Sequence, residues 1–182
     1  MAIPKKNMLI TGLPGIGKTT LVKKVSGEVK EFNPIGFYTS EIRERGVRKG
    51  FELISLDGRR GLLSHVDLRN PYRVGRYKVD VNAFDGFLDT LPFLDPTTGL
   101  VILDEIGRME CFSSKFLRLV REVFDSEKIV IATVAIKGGG LIESVKKRRD
   151  VVLFMMTGEN RDSLVSEIVH TVKAIAGERR KD

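Results

Sequence analysis

The stretch Gly12-Leu13-Pro14-Gly15-Ile16-Gly17-Lys18-Thr19 fits the pattern G-x-x-x-x-G-K-[ST] at every position. Its glycines lack a Cβ, so the backbone can wrap closely around an anion. Successive N–H groups then point inward, and a helix starting at Lys18 adds positive potential. Lys18 is the side chain to bridge the β- and γ-phosphates of a nucleotide, and the Thr19 hydroxyl is a ligand for Mg²⁺. About ninety residues later Leu100-Val101-Ile102-Leu103 runs into Asp104-Glu105. A buried strand ending in two carboxylates places them where open α/β sheets bind ligands. Asp104 is expected in the Mg²⁺ shell. Glu105 is expected to orient an attacking water and accept its proton. Each has a plainer reading, the first as a glycine-rich turn matching by chance and the second as a strand ending in solvated acids, but the strand before the loop and the helix after it disfavour the first. Together they argue for phosphate chemistry. The expected nucleotide contacts are Gly12, Leu13, Pro14, Gly15, Ile16, Gly17, Lys18, Thr19 and Thr20, then Asp104, Glu105, Ile106 and Gly107. Lys18 and Glu105 are the expected catalytic residues, and Thr19 and Asp104 the expected metal ligands.

Other side chains carry weaker signals. Thr133 ends the strand that follows Asp104, so its hydroxyl is a candidate for the γ-phosphate or the water, or simply a β-branched strand residue. Lys146-Lys147-Arg148-Arg149 closes a short helix. Its arginines either fold over a triphosphate or complement the helix dipole, and the dipole reading is preferred. Asn160 and Arg161 sit at the loop-to-helix junction after the last strand, where a base can be held or a helix capped. His65 and His170 have no metal-ligand spacing. Cys111 reads as a small packed residue rather than a nucleophile.

These residues need a frame. Met8-Leu9-Ile10-Thr11, Leu100–Leu103, Ile129-Val130-Ile131-Ala132 and Val151-Val152-Leu153-Phe154 are continuous apolar runs, as in strands buried on both faces. Between them lie helical spacings: Leu21, Val22, Val25 and Val29; Phe116, Leu119, Val120 and Val123 behind a Ser113 cap; Leu164, Ile168, Val172 and Ile175. Strands alternating with amphipathic helices predict a mostly parallel sheet with helices on both faces. Residues 35–81 differ. They are rich in β-branched and aromatic residues, with turn signals at Arg45-Gly46 and Asp57-Gly58, and predict an antiparallel β-hairpin insertion. Asn82 is the expected cap of a helix carrying Phe84, Phe87, Leu88 and Leu91. The whole chain, 1–182, reads as one domain, since 182 residues suit a single core.

Composition narrows the setting. A content of 42% hydrophobic and 30% charged residues excludes a disordered chain. One cysteine excludes an intrachain disulfide and a cysteine-based zinc cluster. No run reaches the ~18 apolar residues of a membrane helix, and the N-terminus lacks a signal-peptide core. The expected location is the reducing cytoplasm, with no membrane partner. Net charge is +7, and residues 1–91 hold 16 basic against 10 acidic side chains. That excess suits an anionic ligand. Nucleic acid is admitted by the charge but supported by no motif.

Beyond the phosphate loop, the chain resembles the THEP1-type nucleoside-triphosphatase family, to which the human cancer-related enzyme belongs. The resemblance rests on Gly36-Phe37-Tyr38-Thr39 with Glu41, Arg43 and Gly50-Phe51, on Val74-Gly75-Arg76-Tyr77, on Leu103-Asp104-Glu105-Ile106-Gly107-Arg108-Met109-Glu110 with Phe112-Ser113, and on Glu159-Asn160-Arg161. It implies a P-loop fold and Mg²⁺-dependent hydrolysis of ATP, GTP and other nucleoside triphosphates to the diphosphate. Ala135-Ile136-Lys137 departs from the family, where some relatives have proline before the lysine. The alternatives are a nucleotide or nucleoside kinase and a nucleic-acid-linked ATPase. No arginine-rich lid favours the first. No Asn-Lys-x-Asp guanine reader is present, so broad base tolerance is expected.

Overall fold

A computed structural model describes residues 5–179. Nine strands form one sheet in the order β5-β6-β4-β3-β2-β7-β8-β1-β9. The strands are β1 (Asn7–Thr11), β2 (Pro34–Glu44), β3 (Val47–Ser55), β4 (Arg60–His65), β5 (Arg73–Val74), β6 (Tyr77–Val79), β7 (Leu100–Ile106), β8 (Ile129–Val134) and β9 (Val151–Met155). The helices are α1 (Lys18–Glu28), α2 (Val81–Asp89), α3 (Ser114–Asp125), α4 (Leu141–Lys146) and α5 (Arg161–Arg179).

Strand side chains alternate between faces, and this divides the core in two. Met8, Ile10, Ile102 and Ile131 pack with Leu21, Val22 and Val25 of α1 and with Leu164, Ile168 and Val172 of α5. Leu9, Val101, Leu103 and Val130 pack on the opposite face under α2, α3 and α4. Both faces of the central strands are therefore dry, which is why they read as unbroken apolar runs. The half-sheet of β2, β7, β8, β1 and β9 is parallel.

The hairpin region joins this sheet rather than standing apart from it. Pro34–Phe37 of β2 pair in parallel with Leu100–Leu103 of β7, while the rest of β2 pairs antiparallel with β3. One long strand thus links the two pairing modes. Ser113 caps α3 by accepting the Phe116 N–H at 2.9 Å. The expected Asn82 cap is displaced: α2 begins at Val81, and Asp80 accepts the Ala83 N–H at 3.0 Å. An aspartate three residues before that N–H has the reach a cap needs. Asn82 falls inside the first turn.

Candidate active site

The parallel register brings three strand ends together. Leu103 of β7 faces Ala132 of β8, and Thr133 of β8 faces Ile10 of β1. Asp104, Thr133 and the phosphate loop therefore meet at the carboxyl edge of the sheet. Between β1 and α1 the chain turns through Gly15 at φ 77° and Gly17 at φ 107°. Side chains are strained at such φ values, so glycine at these points lets the turn close onto the helix. Lys18 folds back over the loop, its Nζ donating to the carbonyls of Gly12 at 3.1 Å and Leu13 at 3.4 Å.

The two expected metal ligands touch. Thr19 Oγ1 donates to Asp104 Oδ2 at 2.7 Å. Thr133 Oγ1 donates to Asp104 Oδ1 at 2.6 Å, so this hydroxyl fixes the aspartate instead of facing the phosphates. Asp104 is 1% exposed. Burial raises its pKa, and the hydrogen bonds from Thr133, Thr19 and the Thr39 N–H, with the Lys18 charge, pull the other way. Burial also raises the pKa of Glu105, opposed by Lys18 and reinforced by Asp104. The peptide joining Asp104 and Glu105 is cis.

A cavity of about 760 Å³ opens at this edge. The phosphate loop lines it through Gly12, Pro14, Gly15, Gly17, Lys18 and Thr19, and the segment after β7 through Glu105, Gly107, Arg108, Met109 and Glu110. Ala135, Ile136 and Lys137 close one side, and Thr39, Glu41, Arg48, Phe51, Leu63 and Val74 extend the wall into the hairpin region. Leu13 is 64% exposed, Thr20 is exposed on α1, Ile16 packs against the core under α1, and Asp104 and Ile106 are buried, so these five expected contacts do not line the cavity.

The weaker candidates separate. Lys137 borders the cavity. Arg148 does not: it pairs with Asp150 and Asp125, each at 2.8 Å. Asp150 in turn receives the Asn7 amide at the opposite end of β1, at 2.9 Å. Arg149 is exposed and absent from the cavity wall. Asn160 is spent on its own turn, accepting the Thr157 N–H at 2.8 Å and donating to the Met155 carbonyl at 2.9 Å. Arg161 lies 3.9 Å from Asp162. The Cys111 thiol is pushed up to about 11 by burial and by Glu110, which removes it as a nucleophile. The segment after β7 adds two more side chains to the wall. Arg108 and Glu110 both follow Gly107, and only the turn after β7 reveals which one is exposed and which is buried.

Comparison with known proteins agrees with this geometry. The sequence model of a family described as NTPase matches residues 7–169. The nucleoside-triphosphatase THEP1 of Thermotoga petrophila is 46% identical over 172 residues, covering 94% of this chain and 95% of that one. The human cancer-related nucleoside-triphosphatase is 38% identical over 185 residues, covering 93% and 97%. The crystal structure of THEP1 from the hyperthermophile Aquifex aeolicus superposes with a TM-score of 0.80 at 33% identity, covering 92% of this chain and 99% of that one. The glycine loop before α1, the carboxylates ending β7 and the matched sheet have one account: the chain has the P-loop NTPase fold and belongs to the THEP1 nucleoside-triphosphatase family.

Proposed function

We propose that this chain is a Mg²⁺-dependent nucleoside-triphosphatase that hydrolyses ATP, GTP and other nucleoside triphosphates to the diphosphate and phosphate. One observation carries the reading: the Thr19 hydroxyl meets Asp104 at 2.7 Å, with Glu105 beside them on the wall shared with the phosphate loop. The names of the relatives support the same activity.

The donor set fits Mg²⁺. A hydroxyl and a carboxylate are hard oxygen ligands, and Mg²⁺ completes its shell with phosphates and water. Among the described residues no group of three or more His, Cys, Asp and Glu side chains is placed to hold a metal alone. That arrangement suits a metal arriving with its nucleotide. When bound, Mg²⁺ supplies positive charge to the β- and γ-phosphate oxygens. Thr19 and Asp104 would hold it, with Thr133 fixing the carboxylate. The loop N–H groups and Lys18 bind the phosphates, Lys18 leaving the Gly12 and Leu13 carbonyls to do so. Glu105 orients the water behind the γ-phosphorus and takes its proton. The breadth of bases in this reading rests on the lack of an Asn-Lys-x-Asp guanine reader in the sequence. Free Cys111 is compatible with a reducing, cytoplasmic setting.

Phosphate release from ATP, GTP, CTP and UTP, with Mg²⁺ and with excess chelator, tests this reading. Release from all four with Mg²⁺ and none in chelator is expected. Turnover in chelator, or with one base alone, contradicts it. One observation favours the kinase alternative. The cavity continues past Glu105 to Phe51, Leu63 and Val74, leaving room for an acceptor. Labelled ATP with a panel of nucleosides and nucleoside monophosphates decides between transfer and hydrolysis.

A further inference from the structure

Glu110 is a carboxyl group in the cavity wall that the proposed hydrolysis leaves idle. It opens a short 3₁₀ turn, Glu110–Phe112, and is 5% exposed. It borders the same cavity as Glu105. Gly107 measures how close the two come. A Cβ on Gly107 would stand 2.8 Å from Glu110 Oε2 and 3.3 Å from Glu105 Oε1. The two carboxyl oxygens therefore lie within about 6 Å of each other, across a gap that the missing side chain leaves open.

The charges that act on Glu110 are carboxylates. β7, α2 and α3 pack on its turn. From β7 come Glu105 and Asp104, whose charges act on it. From α2, Asp85 hydrogen-bonds to Ser113, and Asp89 pairs with Lys115 of α3 at 2.5 Å. The groups that favour an ionised Glu110 are the N–H groups of Glu110 and Gly107. Burial, then the neighbouring carboxylates, raise its pKa to about 8. Glu105 is raised by burial too, but there the Lys18 charge opposes the rise, and no cation among the described residues acts that way on Glu110, so Glu110 is the carboxyl group to keep its proton.

We propose that Glu110 is a positioning residue for hydrolysis: as a neutral carboxylic acid it donates a hydrogen bond across the gap at Gly107 to the Glu105 carboxylate, directly or through one water. This aims Glu105 at the γ-phosphate, and it rests on the reading of Glu105 as the residue that handles the attacking water. Glu110 keeps its proton throughout. The proton of the attacking water goes to Glu105 and leaves with the phosphate, while the bond from the γ-phosphorus to the bridging oxygen breaks.

The test measures ATP hydrolysis with Mg²⁺ from pH 6 to 9.5 for wild type, Glu110→Gln and Glu110→Ala, with folding followed by circular dichroism. Glutamine keeps the length and a donor but cannot ionise. Wild-type kcat is expected to fall above about pH 8, where Glu110 loses its proton. Glu110→Gln is expected to stay near the wild-type kcat at pH 7 and to lack that fall. Folded Glu110→Ala is expected to lose about 10–100-fold in kcat with KM for ATP unchanged, the usual cost of removing a supporting partner. An alkaline fall in Glu110→Gln equal to that of wild type overturns the proposal, as does wild-type kcat in folded Glu110→Ala. If the alanine variant fails to fold, the glutamine profile decides. Glu105→Gln separates the two layers. Wild-type turnover in that variant removes the water-handling reading itself. An inactive Glu105→Gln alongside a folded Glu110→Ala with wild-type kcat, or a Glu110→Gln with the wild-type alkaline fall, removes this inference alone.

Discussion

In the proposed mechanism Lys18 and Glu105 divide the work of the site into binding and chemistry, and single substitutions separate them. Among the described residues Lys18 Nζ hydrogen-bonds to the Gly12 and Leu13 carbonyls of its own loop, so Lys18→Ala leaves the core untouched. It is expected to lose most turnover and to weaken triphosphate binding, read by phosphate release and by calorimetry on a folded protein. Near-normal turnover would take the phosphate loop out of the mechanism. Glu105→Gln keeps the size but removes the base. Turnover is expected to fall about 10²–10⁴-fold, the worth of a positioned acid or base, with triphosphate affinity kept. A wild-type rate in that variant would pass the water to another residue. That both side chains border the cavity was legible in the sequence, because the motifs that place them are made of immediate neighbours. Thr133 was legible only as a hydroxyl near the site. Its partner Asp104 lies 29 residues away, and only the β7–β8 register turns the hydroxyl onto that carboxylate. Glu110 was legible as a second carboxylate after Glu105, but its burial was not: nothing local tells a buried glutamate from an exposed one until a 3₁₀ turn folds it inward.

At the scale of elements, β2 ties the hairpin region to the site. Its Phe37 is fully buried and meets Phe84 at 5.9 Å and Phe87 at 5.8 Å, both edge-on, beside Phe116 of α3. Two residues along, the Thr39 N–H points at Asp104 Oδ2, 3.4 Å away. Phe37→Ala is therefore expected to cost about 3–5 kcal/mol, the range for a buried phenylalanine, measured by urea unfolding. Because β2 also carries Thr39, turnover should drop alongside. A loss under 1 kcal/mol would mean that the cluster repacks and that β2 is not held by it. The antiparallel turns at Arg45-Gly46 and Asp57-Gly58 were visible as local signals. The parallel pairing of Pro34–Phe37 with Leu100–Leu103 was not, since a partner more than sixty residues away leaves no mark on the strand's own sequence. The same holds for Arg148. Helical spacing placed it at the end of α4, but the sheet decides which edge it faces, and it faces the edge opposite the phosphate loop.

Across the whole molecule, ionisable groups pull stability in opposite directions with pH. Asp150 is held below the ordinary carboxylate range, chiefly by its hydrogen bond from Arg148. Its contribution is present above pH 3.8 and is lost as pH falls through its folded pKa. Glu110, Glu105 and Asp104 are raised by burial. For a raised carboxyl the folded state binds more protons than the unfolded one, so stability falls as pH rises through the interval between the two pKa values. For Glu110 that interval runs from 4.5 to about 8. The protein without nucleotide is therefore expected to be most stable at mildly acid pH. The net charge of +7 complicates a single melting curve, because self-repulsion also changes with pH. Comparing wild type with Glu110→Gln cancels that common contribution. The variant's advantage in Tm should be small near pH 4.5, grow up to about pH 8, and level off above it. Thermal melts of both proteins from pH 4.5 to 9.5, without Mg²⁺ or nucleotide, measure it. A Tm difference that stays constant across that range would mean that Glu110 ionises in the folded protein as readily as in the unfolded chain.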